Sequence, residues 1–387
     1  MYAFFEIVYN SIYNIFYTLK SPFFWIVIWI IFFQYRKTGE MEKRILGESK
    51  ISSFYNVLIS TIFGMIGGTL GSVIFIYLGT VINAEDFYFI LPLAILLSII
   101  NPRFICFSYA GGIISLLSLT LGYPDINVPG IIMVVGVLHL VESFLILVDG
   151  TKGKVPIFME RQGQIVGGFT MNRFWPVPFI ILVNGNHIYP ATIIAILGYG
   201  DFALVNYPEN KSRRTAGMLF VFSIILILLA QLSIHNSIFN YTAAIFAPLG
   251  HELIIMISRK KEKKGNYIFA PTNHGLKILD TLPNGIGERM GLSPGDIILS
   301  INGNRIYTKR DIEDILYFRP RFIWVDIFDR KKGFITKEYK DLKNCISSLG
   351  VVVVSSTPEY TFIVEESKSP IYRLINKLKH KKARFKN

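Results

Sequence analysis

The sequence predicts a polytopic α-helical membrane bundle followed by a small α+β domain, a partly open β-barrel or sandwich with two helices. Of the 387 residues, 51% are hydrophobic and only 17% are charged, and the mean hydropathy is +0.44. Several apolar runs reach the roughly 20 residues that a helix needs to cross a bilayer, and they fill most of the chain before Ser258. Beyond Ser258 the sequence becomes polar, rich in turns and β-patterned. We therefore expect a membrane domain over residues 1–258, the α+β domain over 265–345, and a strand-like segment with a basic tail over 346–387.

The basic residues behind the formal net charge of +13 lie between the apolar runs and in the C-terminal tail. This distribution favours orientation in a membrane by positive residues and contact with anionic lipid. The segment Ser367–Asn387 contains no acidic residue, so we expect the tail to bind anionic lipid. The sequence has no basic groove with interleaved aromatic residues, and nucleic-acid binding is not expected.

The first apolar segments predict which side of the membrane is cytoplasmic. Met1–Lys20 carries a polar stripe at helical spacing and is expected at the interface or on the bundle. The apolar span Ser21–Phe33 is followed by a basic loop, Arg36–Lys50, which the positive-inside rule places in the cytoplasm. The next span, Phe54–Ile82, contains glycines whose spacing allows close packing of helices: Gly64, Gly67, Gly68 and Gly71.

The central part of the chain predicts further crossings and a β-hairpin. Phe87–Ile100 and Phe104–Leu121 are expected to cross the membrane in opposite directions, with Asn101–Arg103 between them on the cytoplasmic side. Val128–Val148 then returns the chain to the cytoplasm. Residues 149–175 contain two β-patterned runs, which predict a hairpin insert that lies against the membrane.

Residues 174–205 are difficult to assign because prolines and an Asn-Gly-Asn turn interrupt their apolar runs. They fit a re-entrant hairpin or two spans, and the basic residues from Lys211 to Arg214 favour an even number of crossings. Met218–Ile234 and Ile238–Ile257 form the last pair of spans. The basic run Arg259–Lys264 ends this pair on the cytoplasmic side, so the α+β domain is expected in the cytoplasm.

The α+β domain can be recognised from its turns. The stretch Asn273–Ile306 predicts a strand, a short helix stopped by Gly291, and a second strand, Ile297–Ile301, that runs into the hairpin turn Asn302-Gly303. The Gly-Leu, Gly-Asp and Asn-Gly pairs of this stretch resemble the core of bacterial PDZ domains.

The PDZ resemblance implies a site for an extended peptide, which adds as a strand beside a helix. The expected groove residues come from an edge segment and from the helix Thr308–Phe318: Tyr267, Ile268, Phe269, Ala270, Ile312, Ile315 and Leu316. The edge segment has no glycine where a PDZ loop meets a terminal carboxylate. This favours an internal strand or a protein surface as the ligand, although a C-terminal peptide remains open. The alternative is that the apolar residues only fill the core of the domain.

Four ionisable side chains within the predicted spans form a candidate intramembrane polar cluster: His139, Glu142, His251 and Glu252. The sequence Gly250-His251-Glu252 resembles the start of the H-E-x-x-H motif of intramembrane zinc proteases, in which two histidines one turn apart hold the metal. Ile255 stands in the position of the second histidine, so that site cannot form on this helix. Cys106 and Cys345 lie far apart in the chain and fit no metal-ligand spacing. We therefore expect polar packing, with no metal, no cofactor and no enzymatic activity.

Short motifs ahead of the PDZ core occur in the same order as in MinJ-type proteins, which are bacterial multi-pass membrane proteins with a C-terminal PDZ domain. These motifs are Leu138–Ser143, Pro156–Phe158, Gly167–Phe169, Phe174–Pro176 and Gly250–Glu252. The resemblance implies a non-enzymatic scaffold of septum-site selection in the cytoplasmic membrane, at the septum or poles, which bridges a DivIVA-like protein and a MinD-like ATPase. The alternative is an intramembrane metalloprotease of the site-2 type or an inactive regulatory relative. A homo-oligomer is compatible with either function.

Overall fold

The structure, a computed structural model, describes residues 9, 13–161, 163–185 and 187–355. A short helix, Tyr13–Lys20, precedes the longer elements. The helices that follow are α1 (Pro22–Leu46), α2 (Ser53–Tyr77), α3 (Asp86–Ile100), α4 (Phe107–Leu121), α5 (Val128–Asp149), α6 (Pro208–Ser233), α7 (Ser237–Lys264), α8 (Ile286–Arg289) and α9 (Lys309–Tyr317). The strands are β1 (Val81–Asn83), β2 (Val155–Arg161), β3 (Gln164–Asn184), β4 (Tyr189–Ala203), β5 (Leu276–Thr281), β6 (Ile297–Ile301), β7 (Asn304–Arg305), β8 (Phe322–Asp329), β9 (Gly333–Lys340) and β10 (Val351–Val354). The basic tail, and most of the polar stripe predicted in Met1–Lys20, lie outside the described residues.

Among the described residues, four helices, α2, α5, α6 and α7, are long and apolar enough to cross a membrane, and α1 together with Tyr13–Lys20 would make a fifth span, bent by 77°. This confirms an N-terminal region of apolar helices and indicates membrane association. The basic residues after Phe33 do not form the predicted loop. They continue α1 as far as Leu46, because the Lys, Arg, Glu and Met residues of this stretch are strong helix formers.

Helices α3 and α4 do not cross the bundle, contrary to the sequence prediction. Each has 15 residues and is therefore about 22 Å long, short of the roughly 30 Å of a bilayer core. The start of α3 and the end of α4 lie at the same end of the bundle. Asn127 N–H, just before α5, donates to Asp86 at the start of α3. Tyr241, early in α7, donates to Leu119 O near the end of α4. The turn between α3 and α4 reaches the middle of α5, where Cys106 contacts His139. The two helices thus form a re-entrant hairpin.

A four-stranded sheet replaces the membrane spans that were considered for residues 174–205. The predicted hairpin exists as β2 paired with β3, but β3 has 21 residues and continues along α2 to pair with all of β4. The short β1 pairs in parallel with the far end of β3. The prolines that interrupt this segment prevent a helix, whereas the strands tolerate them. The antiparallel pairing returns the chain at the end of β4 to the end of the bundle where β3 began.

The glycines of α2 let this helix pack against a strand as well as against another helix. A Cβ atom on Gly64 would lie 2.0 Å from Pro176 O, and one on Gly68 would lie 1.8 Å from Pro178 O, so only glycine allows α2 to approach β3 this closely. Gly67 and Gly71 instead face Val141 of α5. Gly67 and Gly71 therefore make the helix–helix contact predicted from the sequence, whereas Gly64 and Gly68 make a helix–strand contact that was not predicted.

Side-chain hydroxyl groups bond to backbone groups of β3 that face the helices. Ser72 Oγ accepts from Ile180 N–H at 2.8 Å, and Tyr35 OH accepts from Phe174 N–H at 3.0 Å. Backbone polar groups in an apolar bundle are costly unless they are paired. These two hydroxyl groups thus help the strand to lie among apolar helices.

The C-terminal domain is rich in strands, as predicted. Its sheet has the order β10-β5-β6-β8-β9, with β7 added to β6. The turn residues have the backbone angles that their sequence demands, with φ of 70° at Gly291, 51° at Asn302 and 78° at Gly303. The domain extends past the predicted boundary at residue 345, because β10 pairs with β5, and Ile346 and Leu349 are buried in its core.

The C-terminal domain is docked on one end of the bundle. Gly167 N–H in β3 donates to Phe269 O, and Ile268 N–H donates to Leu204 O. Phe269 is fully buried and packs edge-on against Phe169. Lys50 Nζ lies 2.6 Å from Asp280 Oδ2 of β5, so the chain just after α1 and the C-terminal domain lie at the same end of the bundle.

Candidate functional site

The segment Tyr267–Ala270, expected to be the open edge of the peptide groove, lies in the junction between the domains. Phe269 is 0% exposed, and the backbone groups of residues 268 and 269 bond to Leu204 and Gly167. Tyr267, Ile268 and Phe269 are apolar, so the segment is more stable buried than exposed. It packs against aromatic side chains of the sheet and against Tyr207. A ligand strand therefore cannot pair with residues 268 and 269 in this arrangement.

Helix α9 contributes the other predicted groove residues, and most of them face the core. Thr308 caps the helix and forms a capping box with Asp311. Ile312 and Leu316 are buried in the core of the domain, and Ile315 packs against the same core while partly exposed. Of these three side chains, only Ile315 is placed to contact a ligand in a groove.

The described part of the chain presents an exposed aromatic face on β8 and β9, which the sequence analysis missed. We call its four residues the aromatic face: Phe322, Trp324, Phe328 and Phe334. Their side chains are between 37% and 78% exposed, and Phe328 and Phe334 pack together with ring centroids 5.2 Å apart. The period-two alternation of Phe322 and Trp324 with the fully buried Ile323 and Val325 was the signal that could have found it.

This aromatic face lies at the end of the sheet. β9 is the last strand in the order, and among the described strands it pairs only with β8. An unpaired strand edge beside exposed aromatic rings can accept an extended peptide through backbone hydrogen bonds, while the rings contact its side chains. This arrangement offers a surface for protein recognition.

The residues of the predicted polar cluster lie on α5 and α7 in the middle of the bundle, and the structure gives partners for His139, His251 and Glu252. The rings of His139 and His251 lie 5.3 Å apart. Glu252 accepts a hydrogen bond from Tyr109 OH at 2.7 Å and forms an ion pair with Arg103 at 3.2 Å. Glu142 lies three residues after His139 on α5 and is partly buried. Helices α5 and α7 thus bring the two histidines of the predicted cluster together.

Cys106 is the member of this centre that sequence reasoning missed. Its Sγ lies 3.1 Å from His139 Nε2 and 3.8 Å from His251 Nε2. The linear spacing gave no sign of this contact, because the three residues come from three separate elements. The break Asn101-Pro102-Arg103 in an apolar run was the available signal, since a polar turn between two short apolar helices also fits a re-entrant hairpin.

Two comparisons with known proteins bear on these sites. The PDZ domain family matches residues 278–318. The chain is also similar to the cell division topological determinant MinJ of Bacillus subtilis (strain 168), with 22% identity over 188 residues, which is 44% of this chain and 47% of that protein. The chain thus matches about half the length of this curated relative. These findings confirm the resemblance to MinJ-type proteins as a distant one.

Proposed function

We propose that this chain is a membrane-embedded scaffold of cell division whose PDZ domain positions cytoplasmic partners at the septum or poles. The observation that carries the proposal is a PDZ domain docked on the sheet of the apolar N-terminal region through Phe269 and on the chain after α1 through the Lys50–Asp280 pair, with its aromatic face exposed. The similarity to a cell division topological determinant supports the same role.

The docked domain suits a scaffold because it limits where a bound partner can lie. A partner bound to a domain held at the end of the bundle stays close to the membrane, which raises its effective concentration for other proteins there. The basic tail would add contacts to anionic lipid, and self-association of the chain would concentrate the sites further.

For the partners we propose a DivIVA-like protein and a MinD-like ATPase, as the MinJ-type resemblance implies, with septum-site selection as the process. The PDZ domain supplies a peptide surface for one of them, and the helical domain holds the chain in the cytoplasmic membrane. This role requires no catalysis. The metalloprotease alternative is disfavoured because Ile255 stands in the place of the second histidine on α7.

Loss of the aromatic face is expected to weaken binding of at least one of these two partners. Aromatic side chains that become buried when a partner binds are frequent hot spots. Truncating one typically costs about 2 kcal/mol or more of binding free energy, which is roughly a 30-fold loss of affinity. We expect that loss for Trp324→Ala or Phe334→Ala, measured by binding of the purified DivIVA-like and MinD-like proteins to the full chain in nanodiscs.

The matched control is Leu342→Ala, which removes an exposed apolar side chain of the same domain outside this face. Its affinities should equal those of the unmodified chain. Unchanged affinity of both partners for Trp324→Ala and Phe334→Ala would remove the aromatic face from the proposal, and the groove beside Ile315 would then be tested in the same way with Ile315→Ala.

A further inference from the structure

The centre of the bundle brings together one thiol and two imidazole groups from three elements that are far apart in the sequence. Cys106 lies at the tip of the re-entrant hairpin, His139 lies in the middle of α5, and His251 lies in the middle of α7. The Cys106 sulfur and one ring nitrogen of each histidine all lie within 4.8 Å of one another. In a tetrahedral zinc site, neighbouring sulfur and nitrogen ligands are about 3.3–3.6 Å apart. The observed sulfur–nitrogen distances of 3.1 and 3.8 Å bracket that range.

Hydrogen bonds at the other ring nitrogens fix both histidines in the form that binds a metal. His139 Nδ1 lies 2.7 Å from Val135 O, and a carbonyl oxygen can only accept, so Nδ1 carries the proton. Tyr109 OH donates its single proton to Glu252, and its oxygen therefore accepts from His251 Nδ1 at 3.3 Å. In both neutral rings Nε2 is left with a lone pair directed at the same sulfur.

This leaves more lone pairs than protons at the centre. The Cys106 thiol has one proton and can donate it to only one of the two Nε2 atoms that face it. The sulfur also caps α4 by accepting from Ser108 N–H at 3.5 Å. A cation bound between the sulfur and both nitrogen atoms satisfies all three groups at once.

The surroundings resemble the outer shell of a metal site. Zinc-bound histidines commonly donate their second N–H to a carboxylate, a backbone carbonyl or water. His139 donates to the carbonyl of Val135, and His251 donates to Tyr109 OH, which in turn donates to the Glu252 carboxylate. Arg103 in turn pairs with Glu252. Phe222 packs edge-on against His139 with ring centroids 5.4 Å apart, and His139 is only 3% exposed. Ionisable groups held inside an apolar bundle are functional candidates by default.

We propose that Cys106, His139 and His251 bind a zinc ion through Sγ, Nε2 and Nε2. Binding releases the thiol proton to solvent, so that a thiolate and two neutral imidazoles coordinate Zn²⁺, and water takes the fourth position. The ligand set of one soft thiolate and two imidazoles suits this borderline metal. The ion links the re-entrant hairpin to α5 and α7, and this role is independent of partner binding by the PDZ domain.

The test is the metal content of the full-length chain purified in detergent with a tag that contains no histidine. We expect equimolar zinc in the unmodified chain and in Cys345→Ser, which removes the exposed cysteine, and loss of zinc in Cys106→Ser and His139→Gln. Replacement by cobalt should give a thiolate-to-cobalt absorption band that Cys106→Ser removes and Cys345→Ser retains. Tyr109→Phe should weaken zinc binding by about 10- to 100-fold while every ligand remains.

Circular dichroism shows whether each ligand variant is folded. If one is not, the cobalt titrations of the unmodified chain and of Tyr109→Phe still test the proposal, because both proteins keep every ligand. Zinc that persists at full stoichiometry in Cys106→Ser would be adventitious and would overturn the proposal. So would a folded, unmodified chain without zinc or a cobalt–thiolate band, or copper as the resident metal.

Discussion

Replacing Arg173 by methionine is expected to remove most of the folded protein from the membrane. Arg173 is 0% exposed, and its Nε donates to Asp149 Oδ2 at 2.8 Å while Nη1 donates to Asn56 at 3.0 Å. Trp175 Nε1 donates to the same carboxylate oxygen at 2.8 Å. Removing one partner of a buried ion pair costs about 3–5 kcal/mol, and the buried Asp149 carboxylate would keep only the half-exposed Lys152, whose Nζ lies 3.7 Å from Oδ1. We expect a correspondingly lower melting temperature and yield of the detergent-solubilised protein.

The double variant Arg173→Met with Asp149→Asn distinguishes lost charge pairing from lost packing. It contains no unpaired buried charge, so it should recover a large part of the stability that Arg173→Met loses. Arg36→Met is the matched control, because the Arg36–Glu40 pair is exposed and contributes at most about 1 kcal/mol. Wild-type stability of Arg173→Met would show that this pair does not hold the sheet against the helices.

Leu316→Asp is expected to unfold the PDZ domain rather than to block a groove. Leu316 is 4% exposed and belongs to the core of the domain, and burial of an unpaired carboxylate there costs several kcal/mol. The cooperative melting transition of the domain should disappear, and partner binding should be lost with it. Limited proteolysis and calorimetry of the full chain measure this directly.

Tyr317→Asp, one residue further along α9, is the control for charge alone. Tyr317 is 82% exposed, so its substitution should leave the melting transition in place. A folded domain in Leu316→Asp would mean that the side chain reaches solvent and that the groove predicted from the sequence exists after all.

The PDZ core could be predicted from the sequence because its turns have strict backbone requirements. Asn302 and Gly303 both have positive φ, which a two-residue hairpin turn demands and which few other residue pairs adopt readily. The alternation of apolar residues likewise predicted the buried strands. The position of Phe269 could not be predicted, because its burial depends on a docking partner that lies about 100 residues earlier, in β3.

The membrane domain was harder to predict because apolar composition does not separate a crossing from a hairpin. The runs in α3 and α4 have the hydropathy of spans, and only their length of 15 residues each distinguishes them. β3 is as apolar as a membrane helix. Most of its residues are buried, so apolar and polar residues do not alternate along it as they do in a half-buried strand. The re-entrant hairpin of α3 and α4 places Cys106 beside the two histidines, and the spacing of these residues in the sequence does not predict that contact.

The central claim is that the chain is a scaffold that collects at sites of division, and its distribution in living cells tests this most directly. A fluorescent fusion of the full chain, expressed at its natural level in dividing cells, should concentrate at septa or poles. Trp324→Ala should remain in the membrane but spread evenly if the aromatic face carries recruitment. An even membrane distribution of the unmodified fusion through the whole division cycle would contradict the account.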